Sequence, residues 1–400
     1  MAKDPFSPSF GTAPPVFVGR DDIIRDFEYA LENGIGQQGR ATLYIGNRGV
    51  GKTVLLATIR DRAEKQGWIV LAETATPGFI DRLAFEHIPT CLNKMGASKT
   101  KSRITGGTLS LGGGGVTWER GQNQEPVMQT LSGRLRRLVE ALPGTDAGVL
   151  ITLDEVNADE AGEMLEFAKT LQDMRVGNLN VAFAGAGLPS NVAAVLTDKV
   201  ITFFQRTEQH EIGSIDLRDV TRAIQQPIES NGRTISKDAL EVMVKGTGGY
   251  PFMIQLVGSG VWRQHPNEIE ITMADVRAGL AWAYKRIGSQ VYDLALRDTS
   301  PVDRSYLLAM AVDDGPSRTS EVAKRLGEGT GYGSVYRDRL ISAGLITSKN
   351  LPYGMVDFTT PYLREYLREH VASQVPGLKG LGQGEGGTGP IPDPEQGLIL

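Results

Sequence analysis

Eight consecutive residues of this 400-residue chain place glycines, a lysine and a threonine in the spacing G-x-x-x-x-G-K-T: Gly46, Asn47, Arg48, Gly49, Val50, Gly51, Lys52 and Thr53. Glycines allow backbone N–H groups to wrap an anion, and a following helix adds the partial positive charge of its N-terminus. In such a loop the lysine reaches the β- and γ-phosphates, and the threonine hydroxyl ligates Mg²⁺. The loop therefore predicts that the chain binds a nucleoside triphosphate together with Mg²⁺.

A pair of adjacent carboxylates ends an apolar run further along the chain. Residues 148–153 read Gly-Val-Leu-Ile-Thr-Leu, and Asp154 and Glu155 follow them. A buried strand of an α/β sheet delivers the residues at its carboxyl end to the edge where ligands bind. There Asp154 would hold the Mg²⁺ shell, and Glu155 would polarise the attacking water. We therefore predict hydrolysis as well as binding, with Lys52 and Glu155 as catalytic residues.

The elements that must position these residues recur along the first half of the chain. The apolar pattern after the loop, from Val54 to Ala63, predicts a helix that Gly67 ends. Strands are predicted at residues 41–45, 68–73, 148–153 and 180–184, and residues 200–204 lead into a fifth. Strands that alternate with helices predict an α/β fold, with a parallel sheet between two layers of helices.

Composition limits the class of protein. The net charge is −5 and the pI is near 5.6, which argues against a generally basic nucleic-acid-binding surface. Cys91 is the only cysteine, so the chain forms no internal disulfide, which favours a reducing compartment. No run approaches the ~18 apolar residues of a membrane span. We expect a cytoplasmic protein that does not enter the membrane.

Three segments are predicted to lie outside the regular elements. Residues 1–15 are rich in Pro, Ser and Gly and are expected to be a flexible lead-in. Residues at about 100–120 alternate around a glycine run, which predicts a hairpin inserted in the α/β core. Residues 373–400 are rich in Gly and Pro, with few large apolar side chains, and are expected to be disordered.

The start of the chain carries a family resemblance. Phe17-Val18-Gly19-Arg20, a helix, and the glycine loop about thirty residues later resemble the entry to AAA+-like P-loop ATPases of the STAND, archaeal-ATPase and origin-recognition type. The resemblance implies ATP as the nucleotide and an ATPase core at residues 16–215. It also implies that Phe17 and Val18 form part of the adenine pocket. An ordinary helix lead-in with a buried Phe stays open as the alternative.

The resemblance implies further site residues and one departure. Gly249-Tyr250-Pro251 resembles the G-x-P element of these ATPases, which implies that Pro251 borders the nucleotide within a helical lid at residues 216–300. The position of Arg206 matches an arginine that related ATPases direct at a γ-phosphate, often across a contact between subunits of a homo-oligomer; a surface arginine without this role stays open as the alternative. The polar sensor expected after the fourth strand is missing from Ala184–Leu188, and Ser190 and Asn191 are the nearest candidates.

Residues 301–372 resemble a winged helix-turn-helix, since three predicted helices precede a turn through Pro352 and Gly354. If this domain binds double-stranded DNA, its predicted contacts are Ser334, Tyr336, Arg337, Arg339 and Lys349. Its basic residues are balanced by acidic ones, whereas nucleic-acid modules carry a basic excess. A protein partner therefore stays open beside DNA.

These features together predict a Mg²⁺-dependent ATPase that acts as a nucleotide switch on a macromolecular partner. A nucleotide-binding scaffold with little hydrolysis is the alternative, and the missing sensor favours it. A metabolic kinase that shares the glycine loop fits less well, because a winged helix has no evident role in such an enzyme.

Overall fold

The computed structural model describes residues 3–9, 11–103, 130–142, 144, 147–197, 202–297, 299–360 and 362–371. The predicted hairpin, beyond residue 103, and the predicted tail at 373–400 lie outside these residues. Across the part of the chain that is described, no helix has the length and apolar character needed to cross a bilayer.

A five-stranded parallel sheet forms the centre of the first half of the chain. Its strands are β1 (Ala41–Gly46), β2 (Ile69–Thr74), β3 (Val149–Asp154), β4 (Val181–Gly187) and β5 (Glu208–Ile212), in the spatial order β2-β3-β4-β1-β5. Because all five strands run the same way, their carboxyl ends share one edge, which we call the nucleotide edge. Gly46 and Asp154 both lie at this edge.

Helices cover both faces of the sheet. They are α1 (Asp21–Glu32), α2 (Lys52–Lys65), α3 (Phe79–Arg82), α4 (Ile88–Arg103), α5 (Leu131–Glu140), α6 (Ala161–Val176) and α7 (Pro189–Thr197). Successive side chains of β1 point to opposite faces: Tyr44 packs with Leu55 of α2, whereas Leu43 belongs to the cluster that contains Phe167 of α6. The predicted three-layer α/β fold is confirmed.

The fifth strand follows the run at residues 200–204 that was predicted to lead into it. Residues 202–206 form a turn and a short 3₁₀ helix, and β5 begins at Glu208. The apolar run there does not build a strand, because Phe204 is a fully buried side chain whose ring packs beside Phe183 and Phe167. The strand itself is polar because it lies at the edge of the sheet, where one side is open.

Four helices follow the sheet and lean over the nucleotide edge, and we call them the lid. They are α8 (Leu217–Ser230), α9 (Lys237–Lys245), α10 (Pro251–Trp262) and α11 (Met273–Ile287); two short strands, β6 (Thr234–Ile235) and β7 (Glu270–Ile271), pair in parallel beside them. Residues 252–262 of α10 are all buried. Gly260 and Gly279 allow α10 and α11 to pack closely, since a Cβ atom on Gly260 would lie 2.7 Å from the Gly279 carbonyl oxygen.

A π-helical turn, Gly288–Tyr292, connects the lid to a C-terminal unit, by which we mean residues 299–360 and 362–371. The helices from here on are α12 (Asp293–Arg297), α13 (Pro301–Met310), α14 (Thr319–Arg325), α15 (Thr330–Ser342) and α16 (Leu363–Tyr366); the strands are β8 (Ser317–Arg318), β9 (Ile346–Thr347) and β10 (Met355–Phe358). The strands form an antiparallel sheet in the order β8-β10-β9. The boundaries predicted for the core, lid and winged helix stay predictions.

The N-terminal segment is not the flexible lead-in that its composition predicts. Phe6 is 4% exposed and packs against α10, more than 240 residues away in the chain. The side chain of Asp4 accepts a 2.6 Å hydrogen bond from the Ser259 hydroxyl. The composition of residues 1–15 did not predict this packing, because the apolar content is low and one aromatic side chain, Phe6, makes the buried contact.

Candidate nucleotide-binding site

A cavity of about 380 Å³ lies at the nucleotide edge, between the sheet and the lid. Its walls include the glycine loop from Arg48 to Thr53, the side chain of Glu155, Phe17 and Val18, and the start of α10 at Pro251. Its volume falls within the range of ~300–1,000 Å³ that is typical of small-molecule sites. The sequence-predicted residues of four separate segments therefore meet around one space.

The glycine loop has the conformation that phosphate binding requires. Gly49 and Gly51 have φ angles of +77° and +90°, a region that side-chain-bearing residues rarely adopt. A Cβ atom added to Gly51 would meet nothing within 4 Å, so the loop has open space at the start of α2. An anion in this space would lie at the N-terminus of a fourteen-residue helix.

Lys52 is buried at the base of this loop. Its Nζ donates hydrogen bonds to the backbone carbonyls of Gly46 at 2.8 Å and Asn47 at 3.0 Å. Burial lowers the pKa of Lys52, and the nearby carboxylates of Glu155 and Asp154 oppose this shift. A buried ammonium group whose hydrogen bonds go to neutral carbonyls favours an anionic ligand, because a further opposite charge would compensate its desolvation.

The two predicted magnesium ligands are in direct contact. The Thr53 hydroxyl donates a 2.7 Å hydrogen bond to Oδ2 of Asp154, which joins the start of α2 to the end of β3. Hydroxyl and carboxylate oxygens are the ligands that Mg²⁺ takes in triphosphate sites. The donor set therefore fits magnesium.

Glu155 has a strained backbone. Its φ angle is +54°, which is uncommon for a residue other than glycine and occurs at functional sites. The flanking bonds hold it there: its own N–H donates to Asp154 Oδ1, and the Val156 N–H donates to the Ala186 carbonyl at 2.8 Å. Glu155 is one of the residues that line the cavity.

Arg20 is a site residue that the sequence analysis did not select. Its guanidinium is buried and donates to the carbonyls of Gly19 and Gly213, and burial lowers its pKa. These bonds attach the Phe17–Arg20 segment to the loop after β5. Arg20 lines the cavity beside Phe17 and Val18. The sequence signal that could have identified Arg20 is its position as the charged residue at the end of Phe17-Val18-Gly19-Arg20.

Tyr250 was also missed, because the Gly-Tyr-Pro motif directed attention to Pro251. Pro251 begins α10 and lines the cavity. The Tyr250 hydroxyl donates to the backbone carbonyl of Arg48, and the Phe252 N–H donates to that of Gly49 at 3.2 Å. Two hydrogen bonds therefore connect the start of α10 in the lid to the backbone of the glycine loop.

The end of β4 shows why no polar sensor follows it. A Cβ atom at Gly187 would lie 2.6 Å from the Val156 carbonyl oxygen and 2.7 Å from the Val192 side chain. The neighbouring Ala186 is fully buried. Ser190 and Asn191 lie in the first turn of α7 and contact each other. Neither residue lines the cavity.

Arg206 does not belong to the nucleotide site of its own chain. It lies two residues before β5 begins, whereas Gly46 pairs with Ile212 at the other end of that strand. The arginine is exposed at the opposite edge of the sheet. A role within one chain is therefore excluded by the strand direction, and the role across a subunit contact stays a proposal.

The predicted DNA contacts make intramolecular interactions instead. Arg339 binds Asp303 at 2.5 Å, Arg337 binds the neighbouring Asp338 at 2.7 Å, and Lys349 binds Glu211 of β5. Tyr336 packs under the Arg339 guanidinium. Ser334 lies on the same helix, α15. Each of the three cations therefore has a carboxylate partner within the chain, and the DNA contacts stay predictions.

One residue of the glycine loop faces the C-terminal unit. The Asn47 side chain does not line the cavity; it meets Gly344, just after α15, where a Cβ atom would overlap its amide oxygen. That oxygen is buried without a hydrogen-bond partner. Together with the Lys349–Glu211 pair, this contact places the C-terminal unit directly against the nucleotide edge.

Two family models match parts of the chain. The model of the AAA ATPase domain matches residues 16–183, and a domain of unknown function matches residues 289–367. A search of curated proteins returns no match.

Similar folds occur among solved structures. The Walker-type ATPase PABY2304 of Pyrococcus abyssi has a TM-score of 0.60 and 16% sequence identity, over 88% of this chain and 96% of its own. The ORC2 protein of Aeropyrum pernix, solved in ADPNP–ADP complexes, has a TM-score of 0.56 and 15% identity, over 94% and 97%. At these identities the likeness shows the fold.

Proposed function

We propose that this chain, of which residues 16–183 are an AAA-type ATPase domain, binds Mg·ATP at the nucleotide edge and hydrolyses it. The observation that carries the proposal is the contact between the Thr53 hydroxyl and the Asp154 carboxylate, with Glu155 on the wall of the same cavity. A cationic loop, a pair of metal ligands and a carboxylate base are the groups that phosphoryl transfer to water requires.

The roles of the side chains follow from their positions. Thr53 and Asp154 would hold Mg²⁺, which when bound neutralises the charge that develops on the β- and γ-phosphate oxygens. Lys52 holds the same phosphates from the base of the loop. Glu155 accepts a hydrogen bond from a water molecule and orients it for in-line attack on the γ-phosphorus. The left-handed backbone of Glu155 directs the chain at the end of β3, where Glu155 lines the cavity.

The C-terminal unit receives the nucleotide signal in this proposal. It contacts the glycine loop at Asn47 and the edge strand at Glu211, so a change at the phosphates alters the surface on which it rests. Binding of ATP would close the lid, re-aim this unit and expose it to a macromolecular partner, and hydrolysis would reverse the change. The neutralised cations of α15 favour a protein partner over double-stranded DNA.

The test of hydrolysis is Glu155→Gln, which keeps the size of the side chain and removes its charge. We expect the release of phosphate to fall about a hundredfold or more, while ATP affinity changes by less than about threefold, because the carboxylate acts on the water. Asp159→Asn, four residues further on, removes an exposed acidic group outside the cavity and serves as the matched control. Equal turnover in both variants would remove Glu155 from the mechanism.

A nucleotide-binding scaffold is the second candidate. The packing at Gly187 leaves no room for a polar sensor after β4, so the γ-phosphate lacks a contact that AAA+ ATPases commonly supply there. This candidate predicts ATP binding by the unaltered protein without measurable release of phosphate. Turnover that depends on Glu155 would exclude it.

A further inference from the structure

The segment at the start of the chain crosses the nucleotide cavity, and we call it the strap: residues 4–9 and 11–16. Its first anchor is the ring of Phe6, which lies over Gly258 of α10. A Cβ atom at position 258 would overlap this ring, so the seat exists only because the helix carries glycine there. The ring is 4% exposed, so this anchor is as buried as a core residue.

Polar contacts on both sides of Phe6 hold the strap on the same helix. Asp4 accepts the 2.6 Å hydrogen bond from the Ser259 hydroxyl, and the Ser7 N–H donates to Oε1 of Gln255 at 3.1 Å. Gln255 itself lines the cavity and is buried. Contacts with Gln255, Gly258 and Ser259 of α10 therefore hold the strap on the lid.

The other end of the strap is fixed to the core. Val18 is buried, and the Arg20 guanidinium donates to the Gly213 carbonyl in the loop after β5. A Cβ atom at Gly19 would lie 2.7 Å from the side chain of Ile215, so this turn is also tightly packed. The strap therefore spans from the lid to the core.

The span between the two anchors forms a wall of the cavity. Its lining residues are Ser7, Ser9, Gly11, Thr12, Pro14 and Val16. They lead directly to Phe17 and Val18, which were predicted to contact the base, so the strap closes the side of the cavity that faces the nucleoside. The glycine loop closes the side that faces the phosphates.

We propose that the strap is a positioning element that retains the bound nucleotide, and that the nucleotide leaves when Phe6 leaves its seat on α10. This inference rests on the proposed nucleotide site. Phe6 does not line the cavity, so its effect is exerted through the strap and appears in the rate of dissociation. The anchor on α10 also links retention of the nucleotide to the position of the lid.

The experiment measures the dissociation of tritiated ADP after a chase with unlabelled ADP, because an unmodified ribose does not disturb the strap. Phe6→Ala removes the buried ring, and Gly258→Ala places a methyl group in the space that the ring occupies on α10. We expect each variant to release ADP about tenfold faster or more, with less than about threefold change in the association rate. The double variant should release ADP no faster than the faster single variant, since both changes break one contact.

Tyr29→Ala removes an exposed aromatic side chain of α1, away from the strap, and should leave the rate unchanged. Gly258→Ala keeps the test decisive if Phe6→Ala folds poorly, because alanine favours a helix over glycine. The proposed role of the strap would be overturned if the rate of ADP dissociation were unchanged in both single variants, or if the two accelerations were additive in the double variant. An unaltered protein that binds no ADP would instead refute the nucleotide site itself, so the two failures are distinguishable.

Discussion

The nucleotide edge of the sheet and the exposed side of α15 both carry charged residues that the sequence predicts to bind a ligand, but the structure arranges the charges differently. At the nucleotide edge, Lys52 is buried against neutral carbonyls, and Glu155 faces a cavity. On α15, Arg339 and Arg337 each meet a carboxylate of the same chain.

The difference separates a binding site from a stabilising surface. A buried charge with no ion-pair partner in hydrogen-bond contact costs free energy, and an anionic ligand would reduce this cost. A charge that already has its partner contributes to the stability of the fold and gains less from an external ligand. Three sets of variants test this comparison between the nucleotide edge and the charged pairs of the C-terminal unit.

The largest effect is expected from Gly49→Ala at the nucleotide edge. Alanine is strained at a φ angle of +77°, and its methyl group would overlap the Tyr250 hydroxyl, so the loop cannot keep its shape. We expect ATP affinity to fall about a hundredfold, measured by isothermal titration calorimetry. Gly36→Ala is the control, because a Cβ atom there meets nothing within 4 Å. Equal affinities would show that the loop does not hold the phosphates.

An intermediate effect is expected from Asp303→Ala beneath α15. The Asp303 side chain is 7% exposed, binds Arg339 at 2.5 Å and caps the start of α13 together with Ser300. Its loss should lower the free energy of unfolding by about 2 kcal/mol, because a buried partner and a helix cap disappear together. Chemical denaturation measures this change.

The matched control is Asp338→Ala, which removes the exposed partner of Arg337. A change below about 0.5 kcal/mol is expected, because water screens this pair. If the two aspartate variants were equally stable, the distinction between buried and exposed pairs on this surface would fail.

The smallest effect is expected at the contact between the C-terminal unit and β5. Lys349 and Glu211 form an exposed ion pair, with 63% and 67% of their side chains accessible. A double-mutant cycle of Lys349→Ala and Glu211→Ala should give a coupling of about 0.5 kcal/mol that decreases with salt. A coupling above about 2 kcal/mol would mean that this pair, and not the packing at Gly344, holds the two parts together.

The site was largely predictable because its signals are local in sequence. The glycine loop and the Asp154-Glu155 pair each follow directly from a few consecutive residues, and the parallel strands β1 and β3, on either side of β4, end at the same edge of the sheet. The three-layer fold follows from the alternation of strands and helices, whereas the strand order does not. The strained backbone of Glu155 has no sequence signal, since its neighbours impose it.

What the sequence could not reveal depends on contacts between distant segments. Phe6 has its partner at Gly258, and no local pattern links these two residues. The ion pair of Arg339 with Asp303 was not predicted, because Asp303 belongs to another helix. The bounds of the fifth strand were not predicted, because this edge strand is polar, whereas the apolar Phe204 before it packs beside Phe183.

The most direct test of the nucleotide site is the titration of ATP into the unaltered protein and into Lys52→Ala, each with and without Mg²⁺. We expect the unaltered protein to bind ATP more tightly when Mg²⁺ is present, because Thr53 and Asp154 add ligands. In Lys52→Ala, affinity should fall about a hundredfold or more, since a buried cation that faces the phosphates is lost. Lys65→Ala, at the far end of α2, should behave as the unaltered protein. Equal affinity of Lys52→Ala and the unaltered protein would contradict the account.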